Sequence, residues 1–251
     1  MISKNQIHTI QALHLKKNRD LRQLFLAEGV KTVEELLNLK PNTIFEVFAT
    51  EDFILSNKNK LSLIKHTVVS EHDLKKISLQ STPNKALAVC NYFNEAKRTV
   101  DFNKNFALYL DDIRDPGNFG TILRLANWFG NSTIFCSPQS CDFYNPKVIQ
   151  ASMGAFMRTN CEYINLSELI AVNKIQNIYG AVLNRNNIYK EDLKTGLIVI
   201  GNEANGISAD NLKLINNPIT IPSHHTNATE SINAAMAASI ITGEFYRQLS
   251  K

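Results

Sequence analysis

No apolar stretch in this 251-residue sequence approaches the roughly 20 residues that a membrane-spanning helix needs. The N-terminus, MISKNQIHTIQALHLKKNRD, lacks the continuous apolar segment of a secretory leader, so a cytoplasmic protein is expected. Cysteine is sparse. Cys90, Cys136, Cys141 and Cys161 form no C-x-x-C pair and have no histidine at zinc-finger spacing, which predicts free structural thiols and no metal. Internal repeats and low-complexity tracts are absent too. What remains, 44% hydrophobic and 20% charged residues, is the composition of a globular chain of one large or two ordinary domains.

The net charge of +4 is unevenly placed. Residues 1–100 hold 15 Lys and Arg against 10 Asp and Glu, whereas residues 101–251 hold 12 against 13. A basic surplus confined to the first part suits either docking on a polyanion or an ordinary solvated surface. That part reads as a small αβ domain, residues 1–97. Ile7, Ile10, Leu13 and Leu15 are spaced for an amphipathic helix, a basic turn KKNRD follows, and LRQLFLAEGV gives a short strand ended by Gly29. VEELLNL, KNKLSLIKH and EHDLKKISL predict helices; TIFEVFAT and ALAVCNYF predict strands. Periodicity breaks in the polar run Asn94 to Asn105, which supplies a linker over 98–105. From 106 to 251 strands and helices alternate, FALYLDDI to GLIVI to a long last helix starting near Ser231, which predicts a mostly parallel sheet covered by helices on both faces.

Three loops fall at the carboxyl ends of predicted strands, where open α/β sheets bind ligands. In DDIRDPGNFGTILR, Asp115, Pro116 and Gly117 make a turn, Asn118 can cap the next helix, and Arg124 interrupts an otherwise apolar helical surface. The second loop, GNEANGIS, has the glycine spacing of a phosphate-binding P-loop but places Ile207 where the phosphate-gripping lysine belongs, and Glu203 would repel phosphate. A nucleoside triphosphatase is thereby disfavoured. Glu203 is left to hold a cation, a hydroxyl or an arginine such as Arg124, or simply to face water. The third loop leads from ITIPS into a helix that opens with Ser231 and Asn233 and carries Ala234, Ala235, Ala237 and Ala238. Its free N–H groups can hold a polar ligand, and its small face can pack closely on the sheet. His224 and His225 have no evident carboxylate partner and are set aside as surface residues.

Taken together and in order, the loops resemble the three motifs of the SpoU, or TrmH, branch of the SPOUT methyltransferases. NFGTILR is similar to N-x-x-G-x-I-x-R through Asn118, Gly120, Ile122 and Arg124, shifted by one residue; GNEANG is similar to G-N-E-x-x-G; IP…ESIN is similar to I-P…E-S-[LI]-N. NPKVIQASMGAF resembles the family's K-V-x-R-A-S-x-G-A segment, and KKNRDLRQLFLAEGV resembles the start of the ribosomal-protein-like RNA-binding domain of its ribosomal RNA members. The resemblance implies a C-terminal trefoil knot, a homodimer and S-adenosylmethionine as cofactor. It places cofactor-binding backbone at Gly201, Ile221 and Ile232, and a transfer site at Asn118, Arg124, Glu203, Ser231 and Asn233. Lys16, Lys17 and Arg19 become the candidate RNA contacts.

The implied reaction is 2′-O-methylation of RNA, with ribosomal RNA the expected substrate and Arg124 as base or phosphate contact. A non-catalytic RNA-binding protein of the same fold, or a transfer RNA methyltransferase, are the alternatives. Two departures bear on this. Eight residues separate Pro222 from Ser231 where the family has about six, and Gln150 stands where an arginine is usual.

Overall fold

The computed structural model describes residues 2–94, 99–223 and 231–249, which form two compact units. The first takes in residues 1–96 and 142–157, the second residues 97–141 and 158–251. The return of 142–157 to the first unit does not show in the hydrophobic pattern.

In the first unit α1 (Lys4–Ala12) starts on a reciprocal cap between Ser3 and Gln6, so two of its orphan donors are satisfied by side chains. Next come α2 (Lys16–Arg22), β1 (Leu24–Glu28), α3 (Val30–Leu39), β2 (Ile44–Ala49), the short helices α4 (Glu51–Ser56) and α5 (Lys58–Leu61), β3 (His66–Val68), α6 (Glu71–Ile77) and β4 (Ala86–Asn91). KKNRD is thus helix rather than turn, and KNKLSLIKH is one helical turn running into a strand. The sheet order is β1-β4-β2-β3, with β4 antiparallel to both neighbours and β3 parallel to β2. Leu26, Phe48, Leu87 and Val89 pack from the sheet with Ile10 and Leu13 at α1 and Leu74 and Ile77 of α6. The segment 142–157, which contains α8 (Pro146–Ala151), is bound by aromatic packing: Tyr144 stacks on Tyr92 at 3.9 Å between centroids, and Phe156 stacks on Phe93 at 5.9 Å.

The second unit contains β5 (Phe106–Leu110), α7 (Pro116–Trp128), β6 (Thr133–Cys136), β7 (Asn160–Tyr163), α9 (Leu166–Asn173), β8 (Ile178–Asn187), β9 (Gly196–Ile200), α10 (Ala209–Leu212), β10 (Asn217–Thr220) and α11 (Ala234–Leu249). The sheet is parallel throughout, in the order β10-β8-β9-β5-β6-β7. Every residue of the adjacent central strands FALYL and GLIVI is buried, as expected where a parallel sheet is covered on both faces. Phe102, from the polar run expected to be a linker, is buried in the core beside Phe135. All four cysteines are free thiols. Among the described residues no helix is long and apolar enough to cross a membrane.

Candidate active site

The three loops that the sequence singles out come together at the carboxyl ends of β5, β9 and β10. Asp115, not Asn118, caps α7: its carboxylate accepts the Asn118 N–H at 2.7 Å, and Pro116 occupies the first helical turn. The Asn118 side chain is therefore released from capping. Its Nδ2 donates to Glu203 Oε1 at 2.6 Å, and its Oδ1 accepts from Asn233 Nδ2 at 2.8 Å. Asn233 Oδ1 in turn accepts the N–H groups of Ala235 and Met236, at 2.9 and 3.2 Å, and so caps α11, which begins at Ala234. One continuous chain of hydrogen bonds thus links the middle loop, the first loop and the start of the last helix.

The loop after β9 is shaped by its own backbone. Asn202 and Gly206 exchange both N–H···O bonds at 2.9 Å, and Asn202 Oδ1 accepts from Ala204 and Asn205. A Cβ on Gly201 would lie 2.2 Å from the Gly206 carbonyl carbon and 2.3 Å from Ile207 N. Gly201 is demanded by the loop's closure on itself, not only by the approach of a ligand. Ile207, the residue that replaces the P-loop lysine, is buried in the core cluster. Asp111 was not anticipated. Its carboxylate is 3% exposed and accepts the Ser208 N–H at 2.7 Å, while the Asp112 carbonyl accepts from Asn202 Nδ2 at 2.8 Å. The acid that follows the apolar run FALYL, Asp111, is the signal that marks this support; Asp112 acts through its backbone.

Gly201, Glu203, Ile221, Ser231 and Ile232 all line a cavity of about 600 Å³. Its walls are apolar at Val182, Leu183, Leu212 and Ile219, and its polar lining includes Asn202, Glu203, Thr220 and Ser231. Part of the lining, Ala181, Val182 and Leu183, comes from a stretch of β8 that breaks register against β10. Tyr179 and Gly180 pair with Asn217 and Pro218, but the next pairs are Asn186 with Ile219 and Asn187 with Thr220, which leaves 181–185 out of the ladder with β10. A partly open cavity of this size, lined by apolar side chains and a few polar groups, fits a nucleoside-sized ligand.

Arg124 departs from expectation. It is exposed on α7, with no ion pair or hydrogen bond among the described residues, and Glu203 is engaged by Asn118 instead. The arginine does not interrupt a buried face; it stands on the solvent side, one turn from Trp128, which is 84% exposed. Arg19 is a correction. It is 2% exposed, its Nη2 meets Asp142 Oδ2 at 2.5 Å, and its Nη1 donates to the Leu13 and His14 carbonyls at 2.9 Å. Buried and with four of its five N–H donors bound within the protein, it is not presented to an RNA. Lys16 is exposed and paired with Asp20, and Lys17 is exposed. Gln150 is exposed on α8. His224 and His225, with most of the long loop before Ser231, lie outside the described residues. Among those described, no group of His, Cys, Asp and Glu is arranged to hold a metal ion.

Comparison with known proteins agrees with this geometry. Residues 105–243 match the SpoU rRNA Methylase family, and residues 4–88 match the MRM3-like substrate binding domain. The 23S rRNA (guanosine(2553)-2'-O)-methyltransferase RlmP of Bacillus subtilis is 27% identical over 244 residues, covering 95% of each chain. A TrmH-family protein of Porphyromonas gingivalis superimposes with a TM-score of 0.84 at 32% identity, over 99% of each chain. An AdoMet-bound rRNA methyltransferase of Sinorhizobium meliloti shares the fold, with a TM-score of 0.83 at 23% identity over 99% and 97% of the two chains. With its family match spanning more than half of the sequence and its three motif loops joined by hydrogen bonds through Asn118, the chain belongs to the SpoU family of RNA methyltransferases.

Proposed function

We propose that this protein is an S-adenosylmethionine-dependent 2′-O-ribose methyltransferase that acts on ribosomal RNA as a homodimer. The observation that carries this reading is the hydrogen-bonded chain Glu203–Asn118–Asn233 at the mouth of the cavity lined by Gly201, Ile221 and Ile232. The relatives named for 2'-O-methylation of 23S rRNA and for AdoMet binding support it, as does the substrate-binding match of the N-terminal region.

When bound, the cofactor supplies an electrophilic methyl group on a sulfonium. The cavity fits it: the apolar wall of Leu212 and Ile219 suits an adenine, and the backbone at Gly201, Ile221 and Ile232 offers the polar contacts. The transfer forms an O2′–CH₃ bond and breaks an S–CH₃ bond, leaving the thioether and one proton from the ribose hydroxyl. In-line displacement needs the acceptor oxygen held close and aligned, and no covalent protein intermediate. Asn118, fixed at both ends by Glu203 and Asn233, holds the rim in place. Ser231 lines the same cavity and offers a hydroxyl there. Arg124 is assigned the RNA phosphate beside the target ribose, because a guanidinium grips phosphate without any shift in pKa. It becomes the proton acceptor only where its neighbours desolvate it strongly.

The homodimer rests on the α7–α11 face, which leaves Trp128, Met236 and Tyr246 exposed at 84%, 60% and 47% around Arg124's helix. A second copy seated there covers that apolar surface. The family's trefoil knot and a division into an RNA-binding domain and a methyltransferase domain belong to the same proposal. Isothermal titration with S-adenosylmethionine tests it. Binding in the micromolar range is expected, and no binding at millimolar cofactor would overturn the enzyme reading in favour of a non-catalytic RNA-binding protein.

A further inference from the structure

On the first unit, Phe45 is the extra residue of a β-bulge: Ile44 pairs with Cys90 and Glu46 with the adjacent Val89. A bulge turns one side chain out of the ladder and is a means of aiming it. Here it leaves an aromatic ring 50% exposed on an otherwise buried interior strand. Lys65 Nζ lies 5.6 Å from the centroid of that ring. The lysine is fixed by Glu46, whose carboxylate is buried and meets Nζ at 2.8 Å. Glu46 also accepts from Thr67 Oγ1 at 2.8 Å and from Gln6 Nε2 at 3.4 Å. The Glu46 charge is therefore internal and held by three protein partners.

The segment that leads to Lys65 is basic in sequence, with Glu34 of α3 reaching it at Asn57. Residues 53–70 include Lys58, Lys60, Lys65 and His66 and no Asp or Glu, and Lys58 and Lys60 are exposed. Between them and Lys65 lies Leu63, which is 98% exposed. An open ring held beside a cation, in a sheet whose adjoining segment carries further exposed lysines, is a combination that binds unpaired nucleotides: the ring takes a base and ammonium groups take phosphates.

We propose that the Phe45 bulge is a docking point for an unpaired nucleotide of the RNA substrate, stacked on Phe45, with the lysines of the 58–65 segment on the adjoining phosphates. The site lies apart from Lys16 and Lys17 in sequence and adds a base contact that phosphate contacts alone lack. It rests on the reading of the protein as an RNA methyltransferase, whose substrate this surface would help to select.

The test uses the full chain and single-stranded fragments of ribosomal RNA, with binding followed by fluorescence anisotropy at several salt concentrations and cofactor titration as a measure of intact folding. Phe45→Ala is expected to weaken RNA binding about tenfold, the effect of one lost base stack, and Phe45→Trp to restore it. Lys58→Ala with Lys60→Ala is expected to reduce the slope of log Kd against log salt by about 1 to 2. All variants should bind cofactor as the parent does. Unchanged RNA affinity in Phe45→Ala would overturn the proposal while leaving the methyltransferase reading intact. Unchanged affinity for naked RNA with weakened binding to ribosomal particles would also overturn it, and would assign the surface to a protein partner. If the parent protein binds no RNA, both fall.

Discussion

Substituting Gly201 by alanine separates two explanations of the glycine pair in GNEANG. The added Cβ would sit 2.2 Å from the Gly206 carbonyl carbon, 2.3 Å from Ile207 N and 2.6 Å from the Gly206 oxygen, all backbone atoms that cannot swing away. Ordinary contact at a Cβ begins near 3.4 Å, so the 206–207 strand must retreat by about 1 Å, and overpacking of this kind costs about 1–3 kcal/mol. Retreat also breaks the paired Asn202–Gly206 hydrogen bonds, a further loss of about 0.5–1.5 kcal/mol each. The total, about 2–6 kcal/mol, corresponds to cofactor binding at least about thirtyfold weaker if the loop must be closed to bind. Gly206→Ala is the control. Its Cβ meets open space, and only the φ of +68° is unfavourable, worth about 1–2 kcal/mol. Isothermal titration with S-adenosylmethionine, alongside thermal melting of each variant, reads the difference. Wild-type affinity in Gly201→Ala, or greater damage from Gly206→Ala, would refute the closure argument.

Three further outcomes follow from the same coordinates. Arg124→Ala should leave the melting temperature of the protein unchanged, because the exposed guanidinium has no partner among the described residues, yet lower single-turnover methyl transfer by about a hundredfold or more; transfer at the parent rate would remove both roles assigned to it. Arg19→Ala should destabilise the first unit by about 3–5 kcal/mol in urea unfolding, since it removes the cation paired with a largely buried Asp142 carboxylate and the donors to two carbonyls; a surface-like effect below 0.5 kcal/mol would return Arg19 to the RNA-contact group. The Arg247 hydrogen bond holds the Glu244 carboxyl at about 2, below its usual value of 4.5. A carboxylate lowered on folding adds stability above its unfolded value and loses it as the pH falls through its folded value. Arg247→Ala should therefore reduce the melting temperature at pH 7 and leave it nearly unchanged at pH 2, and equal reductions at both would contradict the assignment.

Much of this architecture is legible in the sequence, because parallel strands buried on both faces leave continuous apolar runs such as FALYL and GLIVI. The loops of the site are legible for a different reason: glycine, asparagine and proline are placed by local backbone demands, at Asp115–Pro116 and at Gly201 and Gly206. What the sequence does not display is tertiary pairing. Asn118 reads as a cap until Asp115 is seen to hold that post, and Arg19 reads as a surface cation until Asp142, 123 positions away, is seen to neutralise it. The same blindness explains Phe102, whose polar neighbours conceal a core side chain. Arg124 is the converse case. Its apolar neighbours suggest burial, but the helix faces the sheet with Phe119, Ile122, Leu123 and Ala126 and turns the arginine outward.

The central claim is that the cavity beside Glu203, Asn118 and Asn233 delivers a methyl group to a ribose hydroxyl. Incubating the protein with S-adenosylmethionine and unmodified ribosomal RNA, digesting to nucleosides and separating them by mass-resolved chromatography tests it directly. The account predicts a single new 2′-O-methylated nucleoside, formed far more slowly by the Arg124→Ala variant. A methyl group found on a base, or no cofactor-dependent methylation of RNA at all, would contradict it.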